Sequence, residues 1–91
     1  MSADVTDNAA EHRFEQKASD HVAVAYYTLA SGVITFTHTE VPPALSGQGI
    51  GAKLVRGALE QVRARGLKVV PKCPFGEAFI VKNADFADLV L

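Results

Sequence analysis

Three side chains in this sequence, His38, Glu40 and Cys73, are the candidates to move a proton or attack an electrophile, and one loop can hold an anion. His38 and Glu40 lie two residues apart in Val33 to Val41, a run rich in β-branched residues. In a strand such a pair projects from one face, roughly 7 Å apart, shared here with Ile34 and Phe36. Either residue can act as a general base, Glu40 directly or through a water. Cys73 follows a second short apolar run and is bracketed by Pro71 and Pro74. Its thiolate is a nucleophile and its thiol a proton donor, with Lys72 beside it. The loop reads Ser46-Gly47-Gln48-Gly49-Ile50-Gly51. Glycine permits positive φ and close approach of a ligand to the backbone. If the loop opens a helix, free N–H groups and the positive dipole end suit a phosphate or diphosphate. Each residue also has a bland role open to it: a solvated carboxylate, a hydrogen-bonded strand histidine, a buried thiol, a tight turn.

Two familiar glycine loops do not fit. A P-loop ends in Gly-Lys-Ser/Thr, whereas Gly51 is followed by Ala52-Lys53-Leu54. A dinucleotide fingerprint places two residues between its second and third glycines, and only Ile50 separates Gly49 from Gly51.

The elements that must position these groups can be read from period and punctuation. Ile50, Leu54, Val55, Ala58, Leu59 and Val62 recur at helical spacing, with Gly66 past the end. His21 to Leu29 and Val33 to Val41 are strand-like and separated by Ala30-Ser31-Gly32, a hairpin signal. Arg13 to Lys17 is a short candidate strand. Leu67 to Val70 is another, ended by Pro71. Glu77 to Lys82 suggests a short helix, and Asp85 to Leu91 a further turn. The expected class is α+β: a mixed, mostly antiparallel sheet with a β-α-β crossover and a short C-terminal helix. Residues 1–11 are small and polar and are expected to be a flexible leader, with a single domain over 12–91. Tyr26 and Tyr27 must fall on opposite faces, one in the core.

Composition narrows the classes. The chain has 91 residues, 48% of them hydrophobic, and a net charge of −1, with nine Lys+Arg against ten Asp+Glu. That length allows one modest core. The charge balance argues against a dedicated nucleic-acid partner. One cysteine excludes an internal disulfide and a Cys-rich zinc site, and no metal is expected. No apolar run approaches the ~20 residues that span a bilayer, so no membrane partner is expected. With no apolar stretch near Met1, the expected setting is cytoplasmic.

The glycine loop with its preceding strand and following helix resembles the acetyl-CoA signature of the GNAT superfamily, Arg/Gln-x-x-Gly-x-Gly/Ala. Gly49 and Gly51 match, and Ser46 stands where Arg or Gln is usual. Thr39-Glu40-Val41-Pro42, Gly47 to Val55, Gly66 to Pro71 and Lys72-Cys73-Pro74-Phe75 resemble the very small single-domain GNAT-like proteins, in order and at their separations. This resemblance implies a minimal GNAT-like fold that binds acetyl-CoA or coenzyme A between the Val33–Val41 and Leu67–Val70 strands. It implies that Val41 faces the pantetheine, while Gly47, Gln48, Gly49, Ile50, Gly51 and Ala52 hold the diphosphate. Lys53 and Arg56 are placed to reach a 3′-phosphate, and Pro74, Phe75, Lys82 and Asn83 to border the rest of the cofactor. The implied activity is acetyl transfer to an unknown amine, with Cys73, Glu40 and His38 as candidate catalytic groups. Many relatives place a Tyr acid soon after the second cleft strand, where this chain has Phe75 and Phe79. Larger relatives also carry paired helices ahead of the sheet, so the acceptor site is open here, completed in a homodimer, or absent. The alternative is a CoA-binding module with little or no catalysis.

Overall fold

A computed structural model describes residues 5–18, 20–45 and 47–91. Among the described residues five strands form one sheet in the order β1-β2-β3-β4-β5: Val5–Asn8, Arg13–Ala18, His21–Ala30, Val33–Glu40 and Lys68–Pro71. The first three pairings are antiparallel and β4–β5 is parallel. Helix α1, Ile50–Ala64, makes the crossover between the parallel strands, and α2, Pro74–Lys82, follows β5. The α+β class and the crossover are thus as expected. Ser31 and Gly32 close the β3–β4 hairpin with φ of 53° and 78°, the two positive values that match strand twist.

Strand alternation builds the core. Phe14, Ala23, Ala25, Tyr27, Ile34, Phe36 and Val69 are buried on one sheet face. They form a single cluster with Leu54, Ala58, Leu59 and Val62 of α1 and with Phe79 and Ile80 of α2. Both helices therefore cover the same face. The other face carries Arg13, Glu15, Lys17 and Tyr26. Tyr27 is the core tyrosine and Tyr26 the outer one.

Helix α2 begins at Pro74, three residues before the expected Glu77, because proline fits the first helical position, where no N–H partner is needed. A larger correction concerns the leader. Residues 1–4 lie outside the described residues, but Val5–Asn8 is strand β1, paired with Gln16–Arg13. Val5 is buried, and Gln61 Nε2 donates to its carbonyl at 2.9 Å. An edge strand is paired on one side only, so Val5 was the single apolar signal available.

Candidate functional site

The glycines do two different jobs at the start of α1. Gly47 and Gly49 have φ of 80° and 72°, which side chains with a Cβ adopt only under strain. Gly51 has ordinary helical geometry, yet a Cβ there would lie 2.6 Å from Phe75 Cζ and 3.2 Å from Val41 Cγ2. It is glycine because Phe75 and Val41 close over the first turn. The N-cap, Gly49, supplies no side-chain hydrogen bond. The first helical pairing is Lys53 N–H to Gly49 carbonyl at 3.1 Å. Among the described residues the N–H groups of Gly51 and Ala52 have no acceptor, as the start of a helix requires. They border a hollow of about 270 Å³ lined by Val41, Leu45, Gly47, Gly49, Ile50 and Phe75. Gln48 is committed elsewhere, its Nε2 donating to the Ala44 carbonyl at 3.2 Å. Ser46, where the loop departs from the signature, lies outside the described residues.

The hollow sits beside a fork in the sheet. Strands β4 and β5 pair from Val33↔Lys68 to Phe36↔Pro71, and there β5 stops while β4 continues to Glu40. The edge of β4 beyond Phe36 has no parallel neighbour among the described residues, apart from Cys73 N–H donating to the Phe36 carbonyl at 3.0 Å.

An irregularity in β4 decides which groups face which side of this fork. Tyr26 pairs with His38, but Tyr27 pairs with Phe36. Thr37 is therefore an extra residue in β4, a bulge that inverts the alternation. The expectation that His38 and Glu40 share a face with Ile34 and Phe36 is corrected by it. Thr39 now follows Phe36 onto the helix-covered face, and His38 and Glu40 turn to the open one. There His38 Nε2 and Glu40 Oε2 are 3.0 Å apart, with both side chains about 60% exposed. The His38 ring lies parallel to Tyr26 at 6.3 Å between centroids. Arg13 covers Tyr26 at 5.8 Å and donates to Glu15 at 2.7 Å. The Asn8 amide and then the Arg13 guanidinium hold the Glu15 carboxyl below the usual carboxylate range.

Cys73 lies on the helix side. It is the residue preceding α2, buried in the core, with Sγ 3.0 Å from Thr39 Oγ1. The structure brings together Glu40 with His38, and Cys73 with Thr39, on opposite faces of the sheet. Thr39 was missed as a site residue because only the bulge turns it toward Cys73.

Beside the hollow, and sharing Ala52 and Phe75 with it, runs a groove of about 430 Å³ between α1 and α2. Lys53, Arg56, Phe79, Lys82 and Asn83 complete it. Two of these residues are already engaged. Arg56 donates to Asn83 Oδ1 at 2.9 Å, lies 3.7 Å from Asp85 and stacks over Phe79 and Phe86. Asn83 Nδ2 in turn donates to the Phe79 carbonyl at 2.9 Å. Pro74 starts α2 and does not line either cavity.

A family model described as GCN5-related N-acetyltransferase matches residues 13–89, most of the chain. The chain belongs to the GCN5-related N-acetyltransferase family. Within that family it resembles the solution structure of a GCN5-like protein from Staphylococcus aureus, with a TM-score of 0.73 and 27% identity over 96% of this chain and 86% of that one. Protein NATD1 of Bos taurus and of Homo sapiens is 30% identical over 64 residues, 70% of this chain and 57% of each relative. The chain thus matches little more than half the length of these curated relatives. Acetyl-CoA is the general acyl donor of the GCN5-related family.

Proposed function

We propose that this protein is an acetyl-CoA-dependent N-acetyltransferase acting on an amine. The observation that carries the reading is the hollow at the start of α1, with two N–H groups that have no acceptor among the described residues, beside the fork between β4 and β5. Unpaired helix-start donors are chemically suited to a diphosphate, and the unpartnered β4 edge near Val41 is suited to the amides of a pantetheine arm. When bound, acetyl-CoA supplies an acetyl group activated as a thioester.

Gly47, Gly49, Ile50, Gly51 and Ala52 bind the diphosphate in this reading, with Lys53 adding charge. Glu40 faces the open side and is exposed, so an amine approaching from that side can give up its proton to the carboxylate or to a water held by it. His38 holds the Glu40 carboxylate at 3.0 Å. Cys73, buried beside Thr39, is suited to donating a proton toward the sulfur side better than to attacking an incoming group. A cytoplasmic setting for a free thiol belongs to the same proposal. A second reading, a CoA-binding module without turnover, draws on the burial of Cys73 and the absence of a Tyr near Phe75.

The test is acetyl-CoA turnover against a broad amine panel, with Glu40→Gln and Cys73→Ala beside the wild type. Acceptor-dependent CoA release that falls about 100-fold or more in Glu40→Gln is expected, the usual scale of a general base. Tight acetyl-CoA binding without release for any amine would support the module instead.

A further inference from the structure

Lys72 stands where the fork in the sheet closes. It follows Pro71, the last residue of β5, which pairs with Phe36 of β4. It precedes Cys73, whose N–H donates to the Phe36 carbonyl at 3.0 Å. Its own N–H donates to the Val70 carbonyl at 3.2 Å. The backbone is thus held on both sides of Lys72, while its side chain is exposed and makes no ion pair among the described residues. Cys73 is turned into the core. Neighbours in extended chain point to opposite sides. Lys72 therefore takes the open side, the side of His38 and Glu40. His38 lies two residues along β4 from Phe36, roughly 7 Å at the rise of a strand. The other lysines are placed away from this point. Lys17 is on β2, Lys53 on α1 and Lys82 at the end of α2. Lys68 starts β5, with Nζ donating to the Asp88 carbonyl at 2.9 Å.

We propose that Lys72 is an acetyl acceptor built into the chain: the protein transfers the acetyl group of acetyl-CoA to its own Lys72 Nζ. This rests on the reading that the hollow takes the diphosphate and the β4 edge the pantetheine arm. An arm that leaves Gly51 and Ala52 and follows β4 back from Val41 is led toward Phe36, where β5 closes the fork. Its thioester end arrives beside Pro71, Lys72 and Cys73. A lysine ammonium must lose a proton before it can attack. The His38–Glu40 pair, 3.0 Å apart on the same side of the sheet, accepts that proton directly or through a water. The Nζ lone pair then forms a bond to the acetyl carbon, and the carbon–sulfur bond breaks. The nitrogen gives up its second proton as the departing coenzyme A thiolate gains one. Acetyl-CoA and the Lys72 ammonium thus become an acetyl-lysine amide, coenzyme A and one released proton. Acceptor and base belong to one folded chain, so the step is intramolecular once acetyl-CoA is bound.

The experiment incubates the full chain with acetyl-CoA and no added amine, and follows each lysine by site-resolved mass spectrometry. Lys17, exposed on β2 and away from the fork, reports uncatalysed acetylation. Lys72 is expected to acetylate about 100-fold faster than Lys17, the scale of a positioned base. Its rate per molecule should not change when the protein is diluted. Acetyl phosphate, which has no coenzyme part to be held, should label the two lysines at similar rates. Glu40→Gln should slow Lys72 toward the Lys17 rate, and Lys72→Arg should remove the fast adduct while acetyl-CoA still binds. Equal labelling of Lys72 and Lys17 in a chain that binds acetyl-CoA would overturn the assignment and leave the acetyl-CoA reading standing. Fast labelling of Lys72 by acetyl phosphate, a rate that falls on dilution, or a rate untouched in Glu40→Gln would overturn it equally. No binding of acetyl-CoA at millimolar concentration, followed by amide chemical shifts, would remove the acetyl-CoA reading itself, and this inference with it.

Discussion

At its C-terminal end α1 is tied down on several sides, and at its N-terminal end it is left open. Arg63 makes a two-pronged bond to Asp88 at 2.8 and 2.9 Å and reaches the Asp85 carbonyl at 2.6 Å. Arg65 donates to Asp7 Oδ2 at 2.6 Å, and the Tyr27 hydroxyl donates to Asp7 Oδ1 at the same distance. Gln61 bonds the β1 backbone. Gly66, with φ of 70°, turns the chain into β5. Among the described residues the other end has no side-chain cap, two N–H groups without acceptors, a lysine without an ion pair, and cavities on both sides of Phe75. A helix anchored at one end can leave polar groups unsatisfied at the other, and that is where a ligand gains most by arriving.

The strongest way to break this contrast is to remove what both ends share. Leu54 is fully buried between the sheet and α1, and Leu54→Ala should cost about 3 kcal/mol by cavity formation. Urea unfolding measures it, and acetyl-CoA binding should weaken with it. Asp7→Ala attacks the tied end alone. It strands both Tyr27 and Arg65 and should cost about 2 kcal/mol. Acetyl-CoA affinity measured on the folded protein should stay within twofold. Gly51→Ala attacks the open end alone. Its Cβ drives Phe75 aside, so acetyl-CoA affinity should fall about tenfold, or about 1.4 kcal/mol. The melting temperature should move little, because alanine is the better helix former.

The smallest effect sharpens the contrast through pH. Burial, and secondarily Asp7, push the Tyr27 hydroxyl up to about 12. The unfolded chain keeps a tyrosine value of about 10. Tyr27 is therefore favoured neutral in the fold, and its contribution is complete below pH ~10 and lost as pH rises through 12. Stability should decline over that window, and Tyr27→Phe should flatten the decline. An equally steep alkaline loss in Tyr27→Phe would assign it to another group.

Much of the open end was legible in the sequence. Three alternating glycines between a strand and an amphipathic run mark the start of α1, because positive φ and close packing are both glycine demands. The residues for the groove were legible as types, but not their engagements. Nothing local to Arg56 or Asn83 shows that they bond to each other across 27 residues. The tied end was less visible. Asp7 sat in a polar segment with one apolar residue, and its partners Tyr27 and Arg65 are 20 and 58 residues away.

The sequence by itself determined the elements that its periods specify: the hairpin around Ser31-Gly32, the helix from Ile50, the parallel return, expected over Leu67–Val70 and found over Lys68–Pro71, and the glycine turn between strand and helix. These depend on local preferences and on apolar residues recurring at fixed spacing. Only the tertiary structure decided that Thr37 is a bulge. A bulge is set by the register between two strands, and no residue type announces it. That one extra residue turns Thr39 toward Cys73 and sends His38 and Glu40 to the open face, because side-chain direction alternates with a period of two and a single insertion reverses everything after it.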